Sequence, residues 1–306
     1  MLLGTVVIIS ALFILTVLYF FSIAFVRYDD KKIDDIDSKA NSFLGDYKPT
    51  VREGINFIEN CPYTQVYCRS FDNLRLAARY YDCNSQKTVI LFHGYRSSAK
   101  RDFSCAVKLY YEDGCNVLLV DQRSHGKSEG RLITFGVKER RDVLSWVDYA
   151  LENTATSEIY LSGMSMGATT VLLAAGLPLP ENVKGIIADC GFTSPVSIIK
   201  KVARQAFRIN AGIFIPFMNL LCRAFGGFSL YGISTTEALA DSKIPVLFIH
   251  GLNDNFVPCD MSRAAYEKAG CEKDILLIEG AGHGMSYLVD TARVKNAIEM
   301  FLTAHG

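Results

Sequence analysis

The sequence predicts an α/β fold in which a mostly parallel sheet carries helices on both faces. From residue 88 onward, short apolar runs alternate with helical patterns, which is the order expected of successive βαβ units. Helices that connect parallel strands lie on the faces of the sheet, so both faces should be covered. With 306 residues, the chain is long enough for one such domain with additions.

The predicted elements follow in a regular order. An antiparallel hairpin is expected first, with strands at 64–71 and 74–81 on either side of Asp72 and Asn73. Six further strands are predicted at 88–93, 116–121, 158–163, 184–189, 245–250 and 274–279. Helices are predicted between them, near 98–112, 136–152, 166–177, 259–269 and 287–303.

The N-terminus is an uncharged apolar run from Leu2 to Val26. As a helix it would extend about 37 Å, which is enough to cross a hydrocarbon core of about 30 Å. Small residues at 22–24 leave a cleaved signal peptide as an alternative. No Lys or Arg precedes the run, and the run is longer than a usual signal-peptide core, so an uncleaved anchor is favoured. We therefore predict a transmembrane anchor at 1–26, a juxtamembrane connector at 27–60 and one α/β domain at 61–306.

The charges after the apolar run predict its orientation. Arg27, Lys31 and Lys32 follow the run, and the positive-inside rule then places the domain in the cytoplasm. The nine cysteines are odd in number and include several in strand-like segments, which fits reduced thiols better than a disulfide framework. The prediction is a single-pass protein of the cell membrane with its large domain on the cytoplasmic side.

Composition argues against several other classes of partner. Lys plus Arg and Asp plus Glu number 32 each, and no basic stripe is present, so nucleic acid is not an expected partner. The chain contains no Cys-x-x-Cys pair, which makes a structural zinc site improbable. We expect neither a cofactor nor a metal.

A Gly-x-Ser-x-Gly pattern, residues 163–167, follows an apolar strand and centres on Ser165. Small residues two positions before and after the serine relieve crowding in a tight strand-to-helix turn, and the hydroxyl then projects above the sheet. Such a pattern arises by chance in many proteins. It gains weight only if an acid and a histidine follow, each after a strand.

Both residues follow in that order. Asp254 comes just after the predicted strand at 245–250, and His283 lies in a glycine-rich loop after the strand at 274–279. A serine hydroxyl needs a neutral imidazole to take its proton, and an aspartate to hold that imidazole in the required tautomer. Asp189, at the end of another strand, is the alternative acid, but Asp254 is preferred. His283 is the best placed of the five histidines to act as the base.

These segments together resemble the α/β-hydrolase superfamily. The resemblance rests on 91–94 (Leu-Phe-His-Gly), 121–128 (Asp-Gln-Arg-Ser-His-Gly-Lys-Ser), the serine turn and the loops of Asp254 and His283. Within the superfamily, the chain resembles serine hydrolases related to bacterial membrane-anchored esterases and the abhydrolase-domain acyl hydrolases. The resemblance covers roughly residues 61 to 306, and implies oxyanion donors at the backbone amides of Tyr95 and Met166.

The resemblance also explains a long interruption in the alternation of strands and helices. More than about 50 residues separate the strand that ends at Asp189 from the strand that starts at Pro245, which is far longer than a usual connection. Relatives carry a cap here, so a helical cap insert is predicted at about 192–243. Its apolar face would form an acyl pocket and could also touch the bilayer. A helical pair packed onto the main core is the other interpretation.

The sequence therefore leads to a serine hydrolase that cleaves carboxylic esters through an acyl-enzyme on Ser165. Thioesters and lysolipids remain open, as small-molecule acyl esters or lipid-like substrates share this machinery. Two alternatives stand beside it: an amidase or peptidase, and a non-catalytic ligand sensor or scaffold at the membrane that kept the fold.

Overall fold

The computed structural model describes residues 2–28 and 32–306. Within these ranges, eight strands form a single sheet with the order β1-β2-β4-β3-β5-β6-β7-β8. The strands are β1 Thr64–Arg69, β2 Arg75–Tyr81, β3 Lys87–Phe92, β4 Asn116–Asp121, β5 Glu158–Met164, β6 Val183–Asp189, β7 Val246–Gly251 and β8 Lys273–Ile278.

The α-helices alternate with the strands from β3 onward. They are α1 Leu2–Phe25, α2 Lys48–Asn60, α3 Ala99–Asp102, α4 Ser104–Glu112, α5 Glu139–Asn153, α6 Met166–Ala174, α7 Pro195–Ala206, α8 Ile215–Leu221, α9 Thr235–Ala240, α10 Asp260–Lys268, α11 Ser286–Val289 and α12 Thr291–Ala304. Shorter helical turns cover Lys39–Tyr47, Ala211–Ile213 and Cys222–Gly226.

The sheet confirms the predicted mostly parallel α/β fold. β1 and β2 form an antiparallel hairpin, and β2 is also antiparallel to β4. The remaining neighbouring strands are parallel. Alternate residues of β3 lie in different clusters: Val89 and Leu91 in one core, Ile90 and Phe92 in the other. Since both clusters are buried, both faces of the sheet are covered.

Two predicted helices are interrupted in the structure. The helix expected near 98–112 is divided into α3 and α4 at Phe103, whose φ and ψ of −110° and 20° depart from helical values. The helix expected near 287–303 is divided into α11 and α12 at Asp290. The Asp290 carboxylate accepts a hydrogen bond from the amide of Arg293, which starts a new helix there.

The two N-terminal helices pack on different parts of the molecule: the end of α1 on the third apolar cluster, and α2 on the main core. α1 is the one described helix that is long and apolar enough to span a membrane, and its residues from Leu2 to Leu12 are exposed. α2 packs on the main core, where Val51 and Ile58 are buried. Lys31, one of the three basic residues behind the predicted orientation, lies outside the described residues.

A helical insert connects β6 to β7. It consists of α7, α8, α9 and the turns between them, and it covers the carboxyl edge of the sheet above Ser165. A third apolar cluster lies under this insert and includes Met166, Phe192, Ile198 and Phe228. The same cluster contains Phe25 from the end of α1, so the N-terminal helix and the insert share one core.

Candidate active site

Ser165 lies at the apex of a tight turn between β5 and α6. Its φ of 56° is in the left-handed region, which non-glycine residues adopt rarely and at some energetic cost. The two motif glycines permit the turn. A Cβ on Gly167 would overlap the carbonyl group of Phe92, and one on Gly163 would overlap the backbone of Gly167. The amide of Ser165 donates to the carbonyl of Asp189, which ties the turn to β6.

The structure brings Ser165, His283 and Asp254 together. His283 Nε2 lies 2.9 Å from Ser165 Oγ, and His283 Nδ1 lies 2.7 Å from Asp254 Oδ2. A carboxylate accepts only from a protonated nitrogen, so Nδ1 carries the proton and Nε2 is free to accept from the hydroxyl. A neutral imidazole in this tautomer can take a proton from the serine during attack.

Asp254 is held as a carboxylate by the donors around it. Burial alone would raise its pKa, but hydrogen bonds from His250 and His283 and from the amide of Val257 hold the pKa well below its usual value. Its Oδ1 accepts from the amides of Phe256 and Val257, both at 2.8 Å. The other oxygen therefore points at His283.

Asp189 has a different environment. Its side chain is partly exposed to the larger cavity, but burial of the carboxyl raises its pKa to about 6. Its Oδ1 accepts a hydrogen bond from the Ser286 hydroxyl at 3.2 Å. His283 pairs with Asp254 and not with Asp189, so the geometry favours Asp254 as the acid of the triad.

The loop after β3 holds the second predicted oxyanion donor. The amide of Gly94 donates to Asp102 Oδ2 at 2.7 Å, so it is already engaged. The amides of Tyr95 and Met166 donate no hydrogen bond to another of the described residues. Two free amides that flank a serine hydroxyl can stabilise the negative charge that develops on a carbonyl oxygen.

Two other histidines support this loop. His93 Nε2 accepts from the amide of Gln122, and His93 Nδ1 lies 2.8 Å from the carbonyl of Gly94. His125 Nε2 accepts from the amide of Arg96 at 3.1 Å. Burial and the neighbouring His93 lower the pKa of His125 to about 3. Both side chains therefore act as neutral hydrogen-bonding groups that fix the loop.

Two cavities meet at Ser165. The larger, of about 730 Å³, extends beneath the loop of His283 towards Tyr47, Val51 and Leu288. The smaller, of about 370 Å³, lies under the insert, and its lining is almost entirely apolar. Tyr95, Ser165 and Phe256 line both cavities, so the two cavities lie on either side of the nucleophile.

Sequence reasoning missed three contributors to the site. Asp102, the last residue of α3, fixes the loop after β3 through the amide of Gly94, and an acidic residue in a short helix gives no specific signal of that role. Phe256 packs against His283 with ring centroids 4.9 Å apart. The third is α1, which contributes Phe20, Ile23 and Ala24 to the smaller cavity. An apolar run predicts a membrane span but does not predict what packs against it.

The site offers no clear place for a metal. Among the described residues, one cluster has ligand atoms close enough together: Cys190, Asp254 and His283. Burial raises the pKa of the Cys190 thiol well above its usual value, which disfavours the thiolate that would bind a metal. Asp254 and His283 already hydrogen bond to each other.

Known proteins resemble this chain in sequence. The profile of a family described as "Serine aminopeptidase, S33" matches residues 84–221. The protein YqkD of Bacillus subtilis is 28% identical over 72% of this chain and 72% of its own. An α/β-hydrolase domain-containing protein of Arabidopsis thaliana, WAV2, is 26% identical over 69% of this chain and 68% of its own.

Solved structures resemble about four fifths of the chain. The esterase Pf2001 of Pyrococcus furiosus is 25% identical with a TM-score of 0.65, and the match covers 80% of this chain and 94% of that one. Est1E of Butyrivibrio proteoclasticus, solved with ferulic acid, is 22% identical with a TM-score of 0.61, over 78% of this chain and 98% of that one. The second likeness shows a shared fold only.

Proposed function

The chain belongs to the α/β-hydrolase superfamily, and on that premise we propose that it is a membrane-anchored serine hydrolase of carboxylic esters. Its nucleophile is Ser165, its base is His283 and its acid is Asp254. The observation that carries the proposal is the unbroken chain of hydrogen bonds from Asp254 Oδ2 through the imidazole to Ser165 Oγ, at 2.7 and 2.9 Å.

The reaction follows from the positions of these groups. Ser165 Oγ attacks the ester carbonyl as His283 Nε2 takes its proton, and Asp254 stabilises the imidazolium that forms. The amides of Tyr95 and Met166 receive the oxyanion. Collapse breaks the bond to the alcohol, which takes the proton from His283 as it leaves. Water, activated by the same imidazole, then releases the acid from Ser165.

The lining of the smaller cavity supports a hydrophobic acyl group. No carboxylate lies among its lining residues, and Arg96 is the single charged residue there. Most of the wall consists of aliphatic and aromatic side chains from the insert and from α1. Apolar pockets with few polar groups bind apolar ligands, because burial removes apolar surface from water.

Labelling by a fluorophosphonate probe tests the nucleophile. We expect the full-length protein in detergent to label and to hydrolyse p-nitrophenyl butyrate, and Ser165→Ala to do neither. Ser157→Ala changes an exposed serine on the domain surface and should behave like the wild type. A wild-type protein that neither labels nor turns over the ester would instead support the non-catalytic sensor or scaffold.

An aminopeptidase is the second candidate because of the description of the matching family. Such an enzyme needs an anionic group to bind the substrate's α-ammonium. The acidic residues of the larger cavity are poorly suited: Asp102 pairs with Arg101 at 3.1 Å, and the pKa of Asp189 is raised by burial. Comparing alanine p-nitroanilide with p-nitrophenyl butyrate separates the two functions, and we expect turnover of the ester only.

We also propose that α1 anchors the protein in the membrane. α1 has the length and the hydropathy of a membrane span, and the Arg27 guanidinium, just after it, hydrogen bonds to the carbonyls of Gly126 and Ser128 on the domain. We place the domain on the cytoplasmic side. A reporter fused at the C-terminus tests the side, and the mass of the N-terminal peptide of the mature membrane-bound protein distinguishes an anchor from a cleaved signal peptide.

A further inference from the structure

One side of α1 packs along the cap, defined here as residues 192–243. Phe13 contacts Phe214 and Phe217 with ring centroids 5.6 and 4.9 Å apart. Further along the helix, Phe20 contacts Phe207 with centroids 5.3 Å apart. From Phe13 to its end, α1 is thus packed against the domain, whereas its residues from Leu2 to Leu12 are exposed.

The length of α1 then limits where the cap can lie. A span needs about 20 residues to cross the hydrocarbon core, so residues 2–21 would lie in the bilayer. Phe13, Phe20 and Phe21 belong to that span and also contact the cap. They cover about 13 Å of helix, close to the thickness of one leaflet's hydrocarbon. If α1 spans the membrane, the cap has to enter the near leaflet beside it.

The surface of the cap next to α1 is apolar, as a surface in the hydrocarbon of the near leaflet has to be. Five large apolar side chains there are between 43% and 74% exposed, and we call them the cap patch: Phe207, Ile213, Phe217, Leu220 and Phe225. Ring contacts with α1 reach three of them, so the patch is continuous with the lipid-facing side of the helix. Soluble proteins rarely expose a patch of this kind without a partner.

The smaller cavity links this surface to the nucleophile. Phe20, Ile23 and Ala24 of α1 form one wall, residues of α7 and α8 form another, and Ser165 lies among the lining residues. At about 370 Å³ the cavity is at the lower end of the range for ligand sites and suits one acyl chain better than two. A chain in it would contact the membrane helix and the nucleophile's turn together.

We propose that the cap is immersed in the near leaflet, and that a single-chain amphiphile enters from the bilayer with its acyl chain between α1 and the cap. The inference rests on the proposed function, since it names the substrate class of that same site. It makes Phe20, Ile23 and Ala24 determinants of acyl-chain length. The anchor is thereby part of the substrate site as well as a tether.

The first experiment measures the depth of the cap. The variants Phe217→Trp and Phe225→Trp, in vesicles that contain phospholipids brominated along the acyl chain, should lose at least half of the added tryptophan fluorescence. Tyr67→Trp changes an exposed tyrosine on β1 and is the matched control that should not be quenched. The wild type, whose only tryptophan, Trp146, is buried, supplies the background. Cap variants quenched no more than the control would overturn the immersion.

The second experiment measures the acyl-chain profile of the full chain in the same vesicles. Each methylene that the cavity can no longer bury should lower kcat/KM by about fourfold. We expect Ile23→Trp to lower the ratio of dodecanoyl to butyryl ester hydrolysis at least tenfold. The control Leu15→Trp, on the exposed side of α1, should keep the wild-type ratio.

Two further variants complete the test. Leu288→Trp narrows the larger cavity, and a shortened profile in that variant alone would place the acyl chain there and overturn the inference. If Ile23→Trp does not fold, Phe20→Ala serves instead. It lengthens the cavity and should raise the ratio of hexadecanoyl to dodecanoyl turnover at least threefold. If a variant is still labelled by the fluorophosphonate but keeps the wild-type ratio of chain lengths, the acyl-chain inference is wrong and the proposed function stands. If the wild type itself is not labelled, the proposed function is wrong.

Discussion

The phenol hydroxyl of Tyr95 lies 2.9 Å from the carbonyl oxygen of Ala24. The same hydroxyl lies 3.1 Å from the carbonyl of Ile23. The last carbonyls of a helix have no partner within it, and here the side chain of Tyr95 supplies one. The backbone amide of Tyr95 is also a proposed oxyanion donor. One residue therefore joins the end of α1 to the loop that would stabilise the transition state.

Removing that hydroxyl tests whether the junction matters for catalysis. Tyr95→Phe keeps the amide but loses the one hydroxyl proton that the two carbonyls share, a hydrogen bond worth about 1–1.5 kcal/mol. We expect kcat on p-nitrophenyl butyrate to fall by about tenfold with little change in KM, because an oxyanion donor acts mainly in the transition state. Tyr19→Phe, an exposed tyrosine on the same helix, is the control. A kcat equal to that of the control would mean that the loop keeps its position without α1.

The assignment of the acid gives a second prediction. Asp254→Asn should lower kcat by up to about 10⁴-fold, because an amide in place of the carboxylate favours the wrong imidazole tautomer. Asp189→Asn should stay within a few-fold of the wild type, since Asp189 pairs with Ser286 and not with His283. Steady-state kinetics of both variants on one ester decide between them. The reverse order of effects would transfer the role to Asp189.

Much of the fold could be predicted because the signals lie within single segments. Each predicted strand of the parallel region starts within one residue of the observed one, as at β4 (Asn116–Asp121). Buried strands are short apolar runs that end at turn residues, so their sequence alone marks them. Helix breaks were harder to predict. The break at Asp290 depends on a side-chain cap that competes with an otherwise continuous helical pattern.

The order of Ser165, Asp254 and His283 along the chain was informative because parallel strands bring their carboxyl ends to one edge of the sheet. The contacts of α1 with the cap could not be predicted from the order of the strands. Phe20 and Phe214 are far apart in the sequence, and their ring contact at 5.5 Å depends on how two apolar surfaces pack. A hydrophobic pattern reports that a surface is apolar and says nothing about which apolar surface covers it.

The buried carboxyl of Asp189 predicts a pH-dependent difference in stability. Its native pKa is about 6 because of burial, against roughly 3.9 in an unfolded chain. Below about pH 3 both states hold the proton. As the pH rises towards 6, the unfolded state releases its proton first, so the native state loses up to about 3 kcal/mol by pH 7.

In Asp189→Asn the amide does not titrate, so the variant does not lose this stability as the pH rises. Thermal unfolding of the variant and the wild type at pH 4, 5, 6 and 7 should show a difference in Tm that grows with pH in favour of the variant. Taking the difference at each pH removes the contribution of the other titratable groups. A difference that stays constant across this range would show that Asp189 ionises as easily in the native state as in the unfolded chain.

Arg123 carries the last prediction, since it joins three parts of the domain. It makes two hydrogen bonds to Asp142 of α5, each of 2.6 Å, and contacts Asp72 in the turn of the β1–β2 hairpin at 3.0 Å. Arg123 and Asp142 are both buried. Arg123→Met would leave a buried carboxylate without its partner, at a cost of about 3–5 kcal/mol.

For a domain of this size, that cost corresponds to a fall in Tm of roughly 6–20 °C. Lys295→Met breaks an exposed pair with Glu299 on α12, and should change the stability by less than about 1 kcal/mol. Adding Asp142→Leu to Arg123→Met should recover part of the loss, because a matched apolar pair leaves no buried charge unpaired. If the double variant is no more stable than Arg123→Met alone, the cost lies instead in the lost hydrogen bonds to Asp72 in the hairpin turn, which are absent from both variants.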